Sequence, residues 1–334
     1  MRVLMYDRSY QRLREVLRER LPQLEPVLIA RDGSLSFQGL ATTIEAAAPV
    51  AAWANSELYV DGPTREFMLA CLKSESLRFV QSSAAGFDHP VFGKLVERGI
   101  ALANSNAAAI AIAEFVVSSV LQAFQPVRER CELQAARRWE RTPFREVHLS
   151  SWLVIGMGSI GAEVAQRARA FGARVIGARR TPRGDEPVDR MIATERLLQV
   201  VPEADVVVLC APANVDSRHM VSASFLAAMT PDSVLVNIAR GALVDEAALL
   251  RSLDQGRPGT AILDVFETEP LPRDSPLWSH PRVRLSAHSA ALGAGFLQRN
   301  DALFLHNMAR FLAGQTPERL VEAALVAASV QGNR

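Results

Sequence analysis

The chain has 334 residues, 49% of them hydrophobic and 22% charged, with a formal net charge of +1. This balance fits a globular protein of roughly two domains and gives no bulk electrostatic reason to bind nucleic acid or an anionic membrane. Cys71, Cys131 and Cys210 are odd in number and far apart, so neither a disulfide framework nor a metal site is expected and a reduced, cytoplasmic setting is the simplest reading.

In chain order, the first ten residues lack the apolar core of a signal peptide. Residues 3–6 read as a strand, followed by an Arg/Glu/Leu-rich helix near 12–20. Strand patterns recur at 27–30, 50–54 and 78–82, with a helical stretch at 64–73, which predicts a small α/β domain. After the last of these strands, Ser82-Ser83-Ala84-Ala85-Gly86-Phe87-Asp88 is small enough to turn backbone N–H groups toward a ligand, and it reads equally as an ordinary strand-to-helix turn. The character shifts at Asn104. Residues 107–124 form a long apolar pattern with Glu114 in its middle, where a charge would be costly in lipid, so a buried helix is expected and no membrane span. A charged segment, 127–145, follows.

An apolar run from Trp152 then leads into Gly156-Met157-Gly158-Ser159-Ile160-Gly161. A helix over 162–171, Gly172 as its stop and a strand over 173–178 complete the context in which this spacing marks a dinucleotide site. Gly156 permits the turn, Gly158 lets backbone approach a pyrophosphate, and Gly161 lets the helix pack closely. Ser159 and Ile160 lead into a helix whose unpaired N–H groups suit an anion. The only lysines, Lys73 and Lys94, lie far from this loop, which disfavours Walker-type and pyridoxal chemistry. The second strand ends in Arg179-Arg180-Thr181 with no acid for a ribose hydroxyl. Two guanidinium groups and a hydroxyl suit a 2′-phosphate, so NADP(H) is the expected cofactor, with NAD(H) still possible.

Further alternating pieces, at 193–201, 206–209, 222–228, 234–238, 246–252 and 260–263, complete a doubly wound domain. Such sheets bind ligands beyond the carboxyl ends of their strands. Those ends carry Cys210-Ala211-Pro212, Ile238-Ala239-Arg240-Gly241, Asp264 with Glu267 and Glu269, and, after a strand at 283–286, Ala287-His288. Singly, Arg240, Glu269 and His288 each have an ordinary structural reading. Together they place an arginine, a carboxylate and a histidine at the mouth of one sheet.

Residues 236–245, 263–271 and 286–289, with the glycine motif, resemble the signature blocks of the D-isomer-specific 2-hydroxyacid dehydrogenases, in family order. In overall character the chain is most similar to the NADPH-dependent glyoxylate/hydroxypyruvate reductase branch. The resemblance implies two doubly wound parallel-sheet domains, a Rossmann nucleotide-binding domain (104–289) inserted into a flavodoxin-like substrate domain (1–103 and 290–334). The helical pattern at 296–312, stopped by Gly314 and Pro317, fits the returning segment.

The resemblance also assigns roles. Arg240 would hold a substrate carboxylate and polarise the ketone. His288 would give a proton to the carbonyl oxygen as hydride reaches its carbon, and Glu269 would orient His288 and favour its protonated form. Cys210, Pro212, Ile238 and Ala239 would line the cofactor, and Asp264 would meet the nicotinamide carboxamide. Ala84, Ala85 and Gly86 would present N–H groups to the substrate carboxylate. The implied reaction converts a small 2-oxo acid, such as glyoxylate or hydroxypyruvate, into the D-2-hydroxy acid. Formate dehydrogenases carry glutamine where this chain has Glu269, and phosphoglycerate dehydrogenases often carry a regulatory domain where only 318–334 remain here. A homodimer is implied, with 107–124 as an interface element and Trp139 either reaching a partner's site or serving as a buried anchor. Two other readings are a corepressor-like protein that senses NAD(P) and a NAD-dependent dehydrogenase of another 2-hydroxy acid.

Overall fold

In a computed structural model, residues 1–87 and 89–326 are described; Asp88 and residues 327–334 of the expected loop and tail lie outside them. The chain forms two compact units, Met1–Ala107 with Ala294–Arg334, and Ala108–Gly293. The changeovers lie slightly beyond the expected 103/104 and 289/290. The reason is local: Asn104 N donates to Arg319 O, Ser105 N donates to Ala84 O, and Arg299 Nε donates to Ala107 O, which ties residues 104–107 to the first unit.

The first unit holds strands β1 (Arg2–Tyr6), β2 (Glu25–Ile29), β3 (Leu35–Phe37), β4 (Leu40–Ala41), β5 (Ala51–Ala54), β6 (Phe79–Ser82) and β7 (Ala101–Ala103). They lie in the order β4-β3-β2-β1-β5-β6-β7. Five are parallel, and counted among themselves they run 2-1-3-4-5, the flavodoxin-like order. The antiparallel β3–β4 hairpin at the edge turns at Gln38-Gly39, both with positive φ (51° and 80°). That is the twist a two-residue hairpin demands. Both faces of β1 are buried, Val3 and Met5 toward Trp53 and Phe79, Leu4 and Tyr6 toward Leu58 and Phe67. The returning helix Phe296–Leu312 closes the first of these cores, its Phe304 stacked on Trp53 with ring centroids 4.1 Å apart.

The second unit holds β8 (Ser151–Ile155), β9 (Arg174–Ala178), β10 (Arg190–Ile192), β11 (Val206–Leu209), β12 (Val234–Asn237), β13 (Thr260–Leu263) and β14 (Val283–Leu285). Their order, β10-β9-β8-β11-β12-β13-β14, is the 3-2-1-4-5-6 winding of a Rossmann sheet with one strand added. All pairs are parallel. Strands β8, β11 and β12 are buried along their whole length, which is why they read as continuous apolar runs. Helix Ala109–Phe124 packs on helix Ser159–Ala170, and the residues it buries are mainly alanine and valine. Glu114 is exposed and lies 3.7 Å from Arg167 of that second helix. Among the described residues no single helix is long and apolar enough to cross a membrane; Ala109–Phe124 and Val127–Ala135 reach that length only as a pair bent by 61°. Beyond Ala135 the charged segment has no regular structure through Arg145. Trp139 is 99% exposed, so within this chain it is not a buried anchor.

Candidate active site

The turn after β8 is built around backbone contact. Gly156 has φ of 101°, and a Cβ there would lie 2.5 Å from Ala211 N and Cys210 C. A Cβ on Gly161 would overlap the Gly156 carbonyl oxygen, so this glycine lets the helix seat on the turn itself. Gly158 differs. Its φ is negative and nothing lies within 4 Å of where its Cβ would be, so the fold does not require a glycine here, and open space lies in front of the helix N-terminus. Gly158 occupies the N-cap with no side-chain cap. The first-turn N–H groups of Ser159, Ile160 and Gly161 therefore have no intrahelical acceptor. Cys210 follows β11, and burial pushes its thiol up to about 12, which removes thiolate chemistry at neutral pH.

The loop after β9 corrects one expectation. An acid does stand beside Arg179: Glu186 Oε1 accepts from Arg179 Nη1 at 3.0 Å. The same carboxylate accepts from Arg183 N at 3.0 Å and Gly184 N at 2.8 Å, and its side chain is only 4% exposed. Burial raises the Glu186 pKa, but the amides of Arg183 and Gly184 and the Arg179 guanidinium outweigh it, leaving a value of about 2. Sequence position hid this pairing, because the loop folds back on itself after the strand end. Arg180 and Thr181 are exposed, Arg180 lying 3.4 Å from the exposed Asp216.

At the carboxyl ends of β12, β13 and β14 the loops are knitted to one another. Asn237 ends β12; its Oδ1 accepts from Ala239 N and its Nδ2 donates to Arg240 O at 2.9 Å. Arg240 Nη1 in turn donates to Ala239 O at 2.7 Å. Ile238 and Ala239 are 6% and 8% exposed, so they form the wall beneath Arg240. A Cβ on Gly241 would overlap the backbone of Phe266 and Glu267. This close approach sets the Arg240 loop against the loop that carries Glu269.

Glu269 is held by Phe266 N, which donates to Oε1 at 3.0 Å, and its Oε2 lies 2.7 Å from His288 Nδ1. With Nδ1 committed, Nε2 is the nitrogen left to give or take a proton. His288 has φ of 50°, a left-handed backbone unusual outside glycine. Asp264 holds it there. The His288 N–H donates to Asp264 O at 2.7 Å, while the Asp264 carboxylate accepts from Ser286 Oγ, Ser289 N and Ala290 N. Asp264 is 2% exposed. Its carboxylate is thus engaged in fixing the His288 loop.

A second histidine–carboxylate contact has no local signal in the sequence. His219 Nε2 lies 2.6 Å from Glu267 Oε1, and Glu267 N donates to Glu246 Oε1. Burial, with the Glu267 and Glu269 charges adding to it, pushes the Glu246 carboxyl above its ordinary range. In the first unit, the Ala84 N–H already donates to Ser82 Oγ at 3.0 Å.

The family described as D-isomer specific 2-hydroxyacid dehydrogenase, NAD binding domain, matches residues 117–290. The chain belongs to this family. It is 30% identical over 268 residues to a glyoxylate reductase of Thermococcus gammatolerans, a match covering 77% of this chain and 80% of that one. It is 29% identical over 259 residues to the D-3-phosphoglycerate dehydrogenase of Methanocaldococcus jannaschii, covering 75% of this chain but only 48% of that longer protein. The crystal structure of a D-isomer specific 2-hydroxyacid dehydrogenase from Xanthobacter autotrophicus Py2, in complex with NADPH and MES, superposes with a TM-score of 0.77 at 26% identity, covering 97% and 98% of the two chains. The protein is accordingly an NAD(P)-dependent oxidoreductase of the 2-oxo and 2-hydroxy acid class, and its second unit is a Rossmann NAD-binding domain.

Proposed function

We propose that the protein reduces a small 2-oxo acid of the glyoxylate or hydroxypyruvate kind to the D-2-hydroxy acid, with NADPH as the preferred cofactor. The observation that carries the reading is the 2.7 Å contact between Glu269 Oε2 and His288 Nδ1, set in loops packed against the one that bears Arg240. The Arg240 guanidinium, a planar fork of donors, binds the substrate carboxylate and draws electron density from the ketone. His288 Nε2 protonates the carbonyl oxygen in reduction and removes the proton in oxidation. When bound, the nicotinamide supplies or accepts the hydride.

The turn after β8 suits a dinucleotide, since space is open at Gly158 and the helix behind it offers first-turn N–H groups. NADPH preference rests on Arg179, Arg180 and Thr181 after β9, and on the burial of Glu186, whose carboxylate is engaged with the loop rather than offered to a ribose hydroxyl. The test is spectrophotometric: NADPH and NADH oxidation with glyoxylate, hydroxypyruvate, pyruvate and longer 2-oxo acids. A higher kcat/KM with NADPH is expected. Equal or better use of NADH would overturn the cofactor assignment, and no oxidation with any 2-oxo acid would favour a cofactor-sensing role.

A homodimer joined through the second unit belongs to the same proposal. Trp139, Phe144, Phe171 and Val127 are 99%, 51%, 47% and 43% exposed, and Val127 and Phe171 line one open groove with Leu121. Large apolar groups left exposed mark a surface that another chain covers. Sedimentation is expected to give twice the chain mass, and a monomer at micromolar concentration would count against it.

A further inference from the structure

The loop that follows β9 contains a carboxylate that does not face outward. Glu186 accepts from two successive amides, Arg183 N and Gly184 N, and from Arg179 Nη1. Its side chain is 4% exposed while that of Arg179 is 23% exposed. Three donors therefore close the loop on one carboxylate, and the only flexible one among them is the Arg179 side chain. An arginine on an exposed loop pays several rotors of entropy to bind an anion; one already docked through a single Nη pays less, and its remaining N–H groups stay available as a planar fork.

We infer that Glu186 is the positioning residue for Arg179, fixing its guanidinium to receive the 2′-phosphate of the cofactor and so setting the preference for the phosphorylated form. The inference rests on the proposed NADPH reading and deepens it. Glu186 touches neither cofactor nor substrate; it acts through the loop and through Arg179. Its charge partly offsets that of Arg179, so the carboxylate trades some long-range attraction for order. With the amides already bound, order is the larger effect, because removing the carboxylate frees the loop and the side chain at once. The carboxylate, held near a pKa of about 2, keeps this role unchanged across neutral pH.

The experiment measures binding of adenosine 2′,5′-bisphosphate and of adenosine 5′-monophosphate to the full chain by calorimetry, and KM for NADPH and NADH, in the wild type, Glu186→Gln, Glu186→Ala, Arg179→Ala and the Glu186→Ala/Arg179→Ala double variant. Glu186→Ala is expected to weaken bisphosphate binding and raise the NADPH KM by about five- to tenfold, with kcat, NADH KM and 5′-monophosphate binding unchanged. Glu186→Gln, which keeps one acceptor oxygen but meets the Gly184 N–H with its own amide donors, is expected to fall between. The double variant is expected to be no worse than Arg179→Ala alone, since coupled residues are not additive. Unchanged or tighter bisphosphate binding in Glu186→Ala, or additive losses in the double variant, would overturn the inference while leaving the NADPH reading intact. A wild type that binds the bisphosphate no better than the monophosphate would overturn the NADPH reading and the inference with it.

Discussion

Two loop systems at the carboxyl edge of the second sheet are held by different means. After β12, β13 and β14, side chains bind the backbone: buried Asn237 clasps the Arg240 turn, buried Asp264 clasps the His288 loop, and the more exposed Glu269 takes the Phe266 amide before it reaches His288. After β9, a single carboxylate closes an otherwise exposed loop and holds one arginine. The first arrangement couples reactive geometry to the stability of the fold. The second can change without disturbing the core, so the proposed cofactor preference would be adjustable there at little structural cost.

This contrast is open to breaking by substitution, and the largest effect is expected at Gly241. Gly241→Ala puts a methyl into the backbone of Phe266 and Glu267, overpacking expected to destabilise by ~3 kcal/mol. At 2–4 °C per kcal/mol for a unit of this size, melting should fall by about 6–12 °C, together with activity. Next, Asp264→Ala strands the Ser286 hydroxyl and the Ser289 and Ala290 amides. The expected loss is about 1–3 kcal/mol by chemical denaturation, with a fall in kcat because the strained His288 backbone is released. Arg179→Ala, on the β9 side, should leave the melting temperature in place and raise the NADPH KM by about tenfold, roughly 1.4 kcal/mol of binding, with NADH kinetics unchanged. Smallest is Gly158→Ala. With open space around the new methyl, stability should change by no more than about 1 kcal/mol, the cost of alanine at an N-cap, yet both cofactors should bind more weakly. A Gly158→Ala protein with full cofactor affinity would show that no ligand backbone approaches that turn.

Much of the fold is readable from pattern alone because buried parallel strands are continuous apolar runs. The helix Phe296–Leu312 and the strand Thr260–Leu263 have the bounds their periodicity predicts. The β3–β4 hairpin, β7 and β10 escape such reading: at two or three residues each they offer little alternation. At the candidate site, Arg240, Glu269 and His288 stand out by their positions after strands. What cannot be read locally is what holds them. Gly241 matters through a contact with a segment some twenty-five residues later, Asp264 through a loop on the neighbouring strand, and Glu186 through a fold-back of its own loop. Each is a long-range or irregular contact with no periodic signal.

The most direct test of the proposed chemistry is the rate of NADPH oxidation at saturating glyoxylate or hydroxypyruvate in His288→Asn, which keeps a hydrogen-bonding partner for Glu269 but has no proton to transfer at neutral pH. Loss of a general acid predicts a fall in kcat of about 10³-fold, with the NADPH KM and the melting temperature unchanged. A kcat within about twofold of wild type, against the 10²-fold minimum expected of a general acid, would contradict the assignment of proton transfer to His288.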